Sequence, residues 1–387
     1  MKNIVVIYGG RAVEHEVSVI TGIQAIENLD KNKYNVIPVF IDKDGQMFTG
    51  ECYKDFRCFK TNEFRDKKSV RFATNYGDHN LYIEKGGLFA KEEKIEIDCV
   101  LNGLHGSHGE DGAIQGVFET NGIPFTGPSL MSSSLGMDKI IMKDVFKAND
   151  IPVVKHMWFY RSDYEKHESD IIQGLMAKLK FPMYVKPASL GSSIGIKEAT
   201  DEISLRDAIA IAKEFDRKII VEESVVGAVE FNVGVMGMKS DVEVSRVEVP
   251  EGVGEFYSFE KKYEAGSKSK ITGGKHKFLE DEELAAEAQR LAKEAFICLD
   301  TRGNARIDIL CNKDKELFVN EINTLPGSYG FYLWEDMGYT FKAVIDKMID
   351  IAIKANEEEK ETNYRFDADL FLSLIHISEP TRRYAIS

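Results

Sequence analysis

The pattern of the first 41 residues limits the fold more than any other feature of the chain. Ile4–Ile7 and Val36–Ile41 are short apolar runs. Between them, Gly9 and Gly10 end the first run, and Val17–Leu29 has apolar residues at helical spacing. This order predicts a strand–helix–strand unit, and such units build parallel sheets that helices cover. We therefore expect an α/β protein (with α+β character in its later part) whose first domain contains a parallel sheet.

Composition excludes several classes of protein. The chain has 387 residues, of which 43% are hydrophobic and 29% charged, as in globular proteins with a large core. No apolar run approaches the roughly 20 residues that span a bilayer, and Met1 leads into a strand without a signal-peptide pattern. The five cysteines lack C-x-x-C spacing, and the net charge of −14 comes without a long basic run. We expect a cytoplasmic, reduced protein that binds neither nucleic acid nor membrane.

Changes in composition divide the chain into three predicted domains. Residues 42–95 are polar and rich in turns, which we interpret as an insertion or an elaborated edge of the first domain. Pro124 and the pair Gly127 and Pro128 mark the first boundary. The predicted domains are residues 1–127, 128–221 and 222–370.

The last 15 residues, 373–387, differ from everything before them. They follow an acidic helix, turn basic and show no periodicity. Our hypothesis is that they are a non-native extension that resembles translated vector sequence. A version ending at Leu372 that lost its folding or activity would contradict this hypothesis.

An acidic hairpin is predicted within Ala305–Gly327. Arg306–Leu310 and Phe318–Asn323 have the composition of strands, and the polar cluster between them, Asn312–Glu316, is typical of a turn. Alternate side chains of a strand share a face. A turn centred on residues 314 and 315 therefore places Asp308 opposite Glu321, and Arg306 opposite Asn323.

This arrangement favours a cation site. Opposed carboxylates at a cross-strand spacing of about 5 Å repel each other unless a cation lies between them. Hard oxygen ligands on few side chains suit Mg²⁺ that carries nucleotide phosphates. The alternative is a solvated, charged face of the hairpin.

Two glycine-rich loops follow predicted strands of the first domain. Glycines 9 and 10 let a ligand approach the backbone, and Glu14 in that loop would suit a substrate ammonium, although Glu14 and Glu16 are equally typical of acids at a helix N-terminus. The second loop, Leu104–Gly112, follows the strand Cys99–Leu101 and is typical of a functional loop at the carboxyl end of a strand. Its histidines fit no standard structural zinc spacing.

A third loop has the chemistry of a phosphate cradle. Lys186 ends a predicted strand and precedes the small residues of Pro187–Gly195, which offer backbone N–H groups, hydroxyls and one point charge. The lysine precedes the glycines, so this is not the P-loop pattern, and a flexible surface loop is the alternative. Glu222 and Glu223, with Glu230 further on, follow an apolar strand and could accept hydrogen bonds from adenine and ribose.

Together these motifs resemble one family. In chain order they are G-G-x(3)-E-H-E-V-S, L-H-G-x-x-G-E-D-G-x-x-Q-G, M-D-K, K-P-x(3)-G-S-S-x-G, E-E, K-Y, R-x-D and N-E-I-N-T-x-P-G. The set resembles the D-alanine–D-alanine ligases of the ATP-grasp superfamily over about residues 1–365. The resemblance implies a three-domain ATP-grasp architecture, in which an N-terminal parallel-sheet domain is joined by two domains that clamp ATP.

The resemblance also implies a reaction. The carboxylate of one D-alanine is phosphorylated by ATP, the amine of a second D-alanine attacks the acyl phosphate, and D-alanyl-D-alanine forms for peptidoglycan precursors. Such chemistry depends on charge neutralisation and positioning. A homodimer is the implied assembly.

Roles for single residues follow from the same resemblance. One group of residues would bind the phosphates, the adenine base and the ribose of ATP. Its members are Lys139, Lys186, Ser192, Ser193, Lys262, Glu222, Glu223 and Glu230. The metal ligands, for two Mg²⁺ ions or for Mn²⁺, are Asp308, Glu321 and Asn323. The oxyanion would be stabilised by Arg306 and the N–H group of Gly327, and the first D-alanine would be bound by Glu14 in a network with Ser192 and Tyr263, bordered by His105.

Two features concern the second substrate. The resemblance implies that Tyr263, in the predicted lid Ser258–Lys277, favours amide over ester formation. The stretch Tyr329–Tyr332 departs from the family pattern, and Tyr332 replaces a serine that meets the second substrate's carboxylate. A ligase for another second substrate, such as D-serine, therefore stays open, as does a catalytically silent nucleotide-binding relative.

Overall fold

The computed structural model of the protein describes residues 1–61, 63–84, 93–250 and 276–364. The predictions for Lys262 and Tyr263, for most of the predicted lid and for the tail 373–387 lie outside the described residues. Within the described ranges, no helix combines the length and the apolar character needed to cross a membrane.

A seven-stranded mixed sheet forms the N-terminal part. Its strands are β1 (Lys2–Gly9), β2 (Tyr34–Ile41), β3 (Met47–Thr49), β4 (Lys68–Phe72), β5 (Asn80–Ile83), β6 (Glu93–Glu96) and β7 (Cys99–Asn102). In the order β6-β5-β4-β3-β2-β1-β7, β1 pairs in parallel with β2 and β7, and β3 to β6 continue the sheet antiparallel. The helical elements are α1 (His15–Asn28), a 3₁₀ turn at Glu51–Lys54, α2 (Phe56–Thr61) and α3 (Ala113–Asn121).

The parallel strands of this sheet are the ones that the sequence predicts. Ile4, Val5, Val6 and Ile7 of β1 are fully buried, because both faces of the sheet are covered and a strand covered on both faces needs a continuous apolar run. The described residues of the polar segment 42–95 lie at the edge of the sheet opposite β7, where their short antiparallel strands extend it.

The middle part is an antiparallel four-stranded sheet with helices. Its strands are β8 (His156–Tyr160), β9 (Met183–Pro187), β10 (Lys197–Ala199) and β11 (Lys218–Glu223), in the order β10-β9-β11-β8. Its helices are α4 (Leu130–Met137), α5 (Lys139–Ala148), α6 (Arg161–Lys178) and α7 (Glu202–Ala212). Sequence analysis missed α6, because that helix is mostly polar and buries few residues, among them Tyr164, Ile172 and Leu175.

The C-terminal part contains a second antiparallel four-stranded sheet. Its strands are β12 (Val229–Met238), β13 (Asp241–Val244), β14 (Arg302–Cys311) and β15 (Leu317–Asn323), in the order β13-β12-β14-β15. The helical elements are α8 (Glu282–Cys298), a 3₁₀ turn at Gly327–Gly330, α9 (Tyr332–Glu335) and α10 (Phe341–Glu359).

The predicted register of the acidic hairpin is confirmed. Asp308 pairs with Glu321, and Arg306 with Asn323. The pairing shifts after Asp308, so that Ile309 pairs with Val319 and Asn320 is left out of the ladder. Such a β-bulge is a local device that re-aims side chains and frees backbone groups.

One hydrophobic core joins the N-terminal sheet to the C-terminal part. Tyr8 of β1, Trp334 of α9 and Ile349 of α10 belong to the same cluster of fully buried residues. The indole N–H of Trp334 donates to Asn304 Oδ1 over 3.1 Å. The loops that follow β1 and β7 are thereby held next to the acidic hairpin.

Candidate active site

The acidic hairpin carries a tightly bonded carboxylate. Asp308 is 3% exposed and accepts hydrogen bonds from both edges of the Arg306 guanidinium, Nε to Oδ1 at 2.7 Å and Nη2 to Oδ2 at 2.8 Å. Asn323 Nδ2 donates to the same carboxylate over 2.8 Å. Burial opposes the charge of Arg306, but Asp308 outweighs it and raises the arginine pKa well above its ordinary value.

The hairpin residues fit a hard divalent cation. Asp308, Glu321 and Asn323 offer carboxylate and amide oxygens, the donors that Mg²⁺ prefers. The three N–H groups on Asp308 leave about one of its four acceptor directions for a further ligand. Within the described ranges, no group of three or more His, Cys, Asp or Glu side chains could hold a metal ion. A site at the hairpin therefore depends on Asn323 and on phosphate oxygens.

Lys139 joins the hairpin to the predicted phosphate loop. It is the first residue of α5, which begins there because the Asp138 side chain accepts the N–H groups of Ile140 and Ile141 as an N-cap. Lys139 Nζ lies 3.0 Å from Glu321 Oε2 and donates to the carbonyl of Leu190 over 3.1 Å. Burial disfavours the ammonium, yet the carboxylates around it, Glu321 first, raise its pKa.

The loop after β9 has strained backbone at its serines. Ser192 and Ser193 have φ of 57° and 58°, a region that costs energy for residues other than glycine. The N–H group of Ser189 donates to Asp216 over 2.7 Å, which fixes the start of the loop. Strain held in place by the surrounding fold is typical of a ligand-binding loop.

A buried charge cluster lies beside this loop. Lys186 Nζ donates to Glu222 Oε2 over 2.6 Å, and Lys143 Nζ lies 3.1 Å from Glu222 Oε1. Burial disfavours the charged carboxylate, but the two lysines outweigh it and hold the pKa of Glu222 well below its ordinary value. Glu223, the next residue along β11, accepts instead from Lys155 and from the backbone N–H of Lys180, so its side chain does not join the cluster.

Glu14 lies at the start of α1 with a buried carboxylate. It is 3% exposed, and neither oxygen has a well-formed hydrogen bond to the described residues. Burial raises its pKa, while nearby Ser192 and Lys139 lower it. A Cβ at Gly106 would lie 2.0 Å from Glu14 Oε2, and one at Gly191 would lie 3.4 Å from Oε1. Glycine at these two positions leaves the carboxylate room for a cationic ligand.

His105 links the N-terminal loops to the turn after β15. It is 5% exposed, and its Nε2 lies 2.8 Å from Thr21 Oγ1, which also accepts the N–H group of Ser328 over 3.2 Å. Burial lowers the pKa of His105 to about 4, so the ring is neutral at pH 7. Gly327 begins that turn, and a Cβ there would meet nothing within 4 Å.

The second-substrate candidates lie near Arg306. Tyr332 is 4% exposed and stacks on His276 with ring centroids 4.9 Å apart. Tyr332 is among the groups that act electrostatically on Arg306, so the two side chains are close. Register places Glu230, Asn232 and Arg306 on one face of the C-terminal sheet, because Asn232 pairs with Asp308 and Glu230 with Leu310.

Sequence analysis missed Glu110, although it lies in the quoted loop motif. Its carboxylate accepts the N–H group of Gly106 over 2.7 Å and lies 4.0 Å from His105 Nδ1. Burial, followed by repulsion from Glu14, raises its pKa to about 8. Two carboxyl groups close together in a buried site tend to have unequal pKa values. The sequence does not show that Glu110 and Glu14 approach each other, and only the fold reveals it.

We expect Glu110→Gln to flatten the pH dependence of stability. A folded pKa of about 8 against an ordinary 4.5 means that the folded state keeps a proton which the unfolded chain releases. This contribution to stability is complete below pH 4.5 and is lost as the pH rises to 8, by on the order of 5 kcal/mol. Urea unfolding from pH 5 to 8 measures the slope. Glu119→Gln, at an exposed position of α3, is the control, and equal slopes in wild type and Glu110→Gln would contradict the expectation.

Two family models each match one part of the chain. The family model described as D-ala D-ala ligase N-terminus matches residues 3–128, and the one described as D-ala D-ala ligase C-terminus matches residues 145–350. A curated D-alanine–D-alanine ligase of Thermosipho africanus is 39% identical over 371 residues, which are 96% of this chain and 98% of the relative. That of Thermosipho melanesiensis is 37% identical over 360 residues, covering 93% and 96%.

Solved structures share the fold. The VanG D-Ala:D-Ser ligase of Enterococcus faecalis is 29% identical with a TM-score of 0.77, over 91% of this chain and 99% of that one. The D-alanine–D-alanine ligase of Coxiella burnetii, 24% identical, has a TM-score of 0.77 over 98% and 100%. The predicted α/β class and ATP-grasp fold are thereby confirmed. Two family models that cover most of the chain, and relatives 37–39% identical over nearly all of it, show that the chain belongs to the D-alanine–D-alanine ligase family.

Proposed function

We propose that this protein joins two D-alanine molecules to D-alanyl-D-alanine, with ATP as phosphoryl donor, for peptidoglycan precursor synthesis. The carboxylate of the first D-alanine takes the γ-phosphoryl group and ADP leaves. The amine of the second D-alanine then attacks the acyl carbon, loses a proton, and phosphate leaves. D-serine as second substrate is not favoured, because both curated relatives bear the name D-alanine–D-alanine ligase.

The position of Lys139 is the observation that carries this proposal. Its ammonium contacts Glu321 of the hairpin and the carbonyl of Leu190 in the loop after β9. Two motifs more than 100 residues apart in the chain thus meet at one cation. A nucleotide phosphate held by that loop would lie beside the hairpin carboxylates. A catalytically silent relative would have no need to keep this arrangement.

Phosphate binding is assigned to lysines and hydroxyls. Lys139 and Lys186 supply positive charge at the loop, and Ser192 and Ser193 supply hydroxyl and backbone donors. Lys262 is proposed to join them. Glu222 is proposed to accept from the adenine amine and Glu230 from the ribose, since an ionised carboxylate is an acceptor only. Glu223 would take part through its backbone groups, because its side chain lies away from the cluster of Glu222 with its two lysines.

The metal site is assigned to Asp308, Glu321 and Asn323. Mg²⁺ bound there would neutralise phosphate charge, and Mn²⁺ would accept the same oxygen ligands. Arg306 is held rigidly by Asp308, so its guanidinium is prepared to stabilise the tetrahedral oxyanion without reorganisation. The N–H group of Gly327 is the proposed second donor.

Binding of the first D-alanine is assigned to Glu14. A buried carboxylate whose oxygens have no well-formed hydrogen bond to the described residues gains most from a substrate ammonium, which would also lower its raised pKa. Ser192 lies close enough to act with it, and Tyr263 is the proposed third member. His105, which is neutral, is proposed to border this pocket, and its hydrogen bond with Thr21 holds the ring in place.

The experiment that tests the proposal is phosphate release by the purified protein with ATP and Mg²⁺, with and without D-alanine, and with the product checked by mass. We expect D-alanine-dependent release and a dipeptide product. D-serine and L-alanine, offered together with D-alanine, test the second position. Measurable ATP binding without any stimulation by D-alanine would overturn the assignment of the substrate.

We propose a cytoplasmic location, because the proposed reaction consumes ATP. We propose a homodimer, the assembly that the family resemblance implies.

A further inference from the structure

Helix α5 presents two buried lysines one turn apart. Lys139 reaches Glu321, as described, and Lys143 reaches Glu222. The side chain of Lys143 is 0% exposed, against 10% for Lys139 and for Lys186. A lysine is almost never fully buried unless it is paired, so this position needs an explanation.

Lys143 is fixed by two partners from different parts of the fold. Its Nζ lies 3.1 Å from Glu222 Oε1 in the middle sheet and donates to the carbonyl of Asn320 over 3.1 Å. Asn320 is the residue that the β-bulge leaves out of the hairpin ladder, and it precedes the proposed metal ligand Glu321. The bulge therefore frees the carbonyl that Lys143 uses.

The balance of charges around Glu222 matters for nucleotide binding. In the structure two lysines share one buried carboxylate, and burial lowers the pKa of Lys143 although Glu222 opposes that shift. When both lysines are protonated, the cluster has one positive charge more than the carboxylate balances. Lys186 stands on β9 just before the phosphate loop, and a phosphate would attract it. If Lys186 were the sole partner of Glu222, its move would leave a buried carboxylate unpaired, which is strongly unfavourable. Lys143, held by Asn320 as well, stays behind.

We propose that Lys143 is a positioning residue, which keeps Glu222 charged and in place for the adenine amine while Lys186 turns to the phosphates. This inference rests on the proposed function. Through Lys143, the position of Glu222 in the proposed adenine site depends on Asn320, which precedes Glu321 in the same strand. Base recognition and metal binding are thereby coupled by one buried ammonium.

The test compares Lys143→Met with Lys147→Met, one turn further along α5, where the side chain is 48% exposed. ATP and ITP, which lacks the adenine amine, are titrated by calorimetry without D-alanine, and kcat and KM follow from phosphate release. We expect Lys143→Met to weaken ATP binding roughly 10- to 100-fold and ITP binding far less, since a lost charge-assisted hydrogen bond has about this effect. Lys147→Met should bind both nucleotides like wild type.

A double-variant cycle separates positioning from general damage. In a Glu222→Gln background, Lys143→Met should change the ATP-to-ITP ratio little, because the residue through which it acts is neutral. Equal weakening of ATP and ITP, or the same effect in both backgrounds, would overturn the inference. Should Lys143→Met fail to fold, Lys143→Gln, which keeps a donor for Asn320 but no charge, makes the same prediction. Calorimetry needs no turnover, so failure here is distinguishable from failure of the proposed reaction.

Discussion

Replacing Glu321 by Gln is expected to reduce D-alanine-dependent turnover by on the order of 100- to 1000-fold, as for the loss of a major electrostatic group in an active site. The change removes the charge that opposes Asp308 and that pairs with Lys139 Nζ at 3.0 Å. The ammonium of Lys139 would then lack its partner, and a neutral amide would not replace the negative charge that the carboxylate brings to a Mg²⁺ site. Phosphate release at increasing Mg²⁺ measures both the rate and the metal requirement.

The matched control for this variant is Glu316→Gln. Glu316 belongs to the turn of the same hairpin, is exposed, and accepts from Asn312 Nδ2 over 2.7 Å. We expect its turnover and metal requirement to match those of wild type. Unchanged turnover in Glu321→Gln would remove the metal assignment, and an equal loss in both variants would indicate damage to the hairpin as a whole.

Replacing Glu14 by Gln is expected to raise the KM for the first D-alanine roughly 10- to 100-fold, with ATP affinity nearly intact. The reason is that a buried carboxylate facing an ammonium loses a charge-assisted hydrogen bond when it becomes an amide. Initial rates over a wide range of D-alanine separate the two substrate sites, and calorimetry with ATP alone gives the nucleotide affinity.

Glu16→Gln distinguishes this role from the helix-dipole alternative. Glu16 lies in the first turn of α1, with a side chain that is 68% exposed and a 2.6 Å ion pair to Lys43. If the acids served only the helix N-terminus, both variants would alter stability slightly and leave the KM alone. A KM effect confined to Glu14→Gln supports substrate binding. A parallel loss of ATP affinity in Glu14→Gln would contradict the assignment.

The sequence was sufficient where local rules apply. The hairpin register follows from alternation along two strands and from a polar turn, and Asp308 indeed pairs with Glu321. The strand–helix–strand unit at the N-terminus follows from apolar periodicity, and β1 and β2 pair in parallel as expected. These patterns depend on residues a few positions apart, so no knowledge of packing is needed.

Neighbouring acids show where local rules end. Glu222 and Glu223 are equivalent in the sequence, yet only Glu222 faces the lysine cluster, while Glu223 lies on the other face of β11. The alternation of side chains along a strand predicts that Glu222 and Glu223 point to opposite faces of the sheet. Which of the two faces meets the ligand depends on what covers each side of the sheet. The bulge at Asn320 is likewise invisible in a pattern of apolar and polar residues.

The sequence by itself determined the fold class, the family and most of the candidate site residues, because motifs and periodicity are properties of short segments. Only the tertiary structure decided which charges are buried together. In the sequence, Lys143 and Glu110 look like ordinary solvated side chains, yet the fold buries Lys143 against Glu222 and brings Glu110 close to Glu14. Desolvation and pairing act between segments far apart in the chain, so the charge states of this site follow from packing alone.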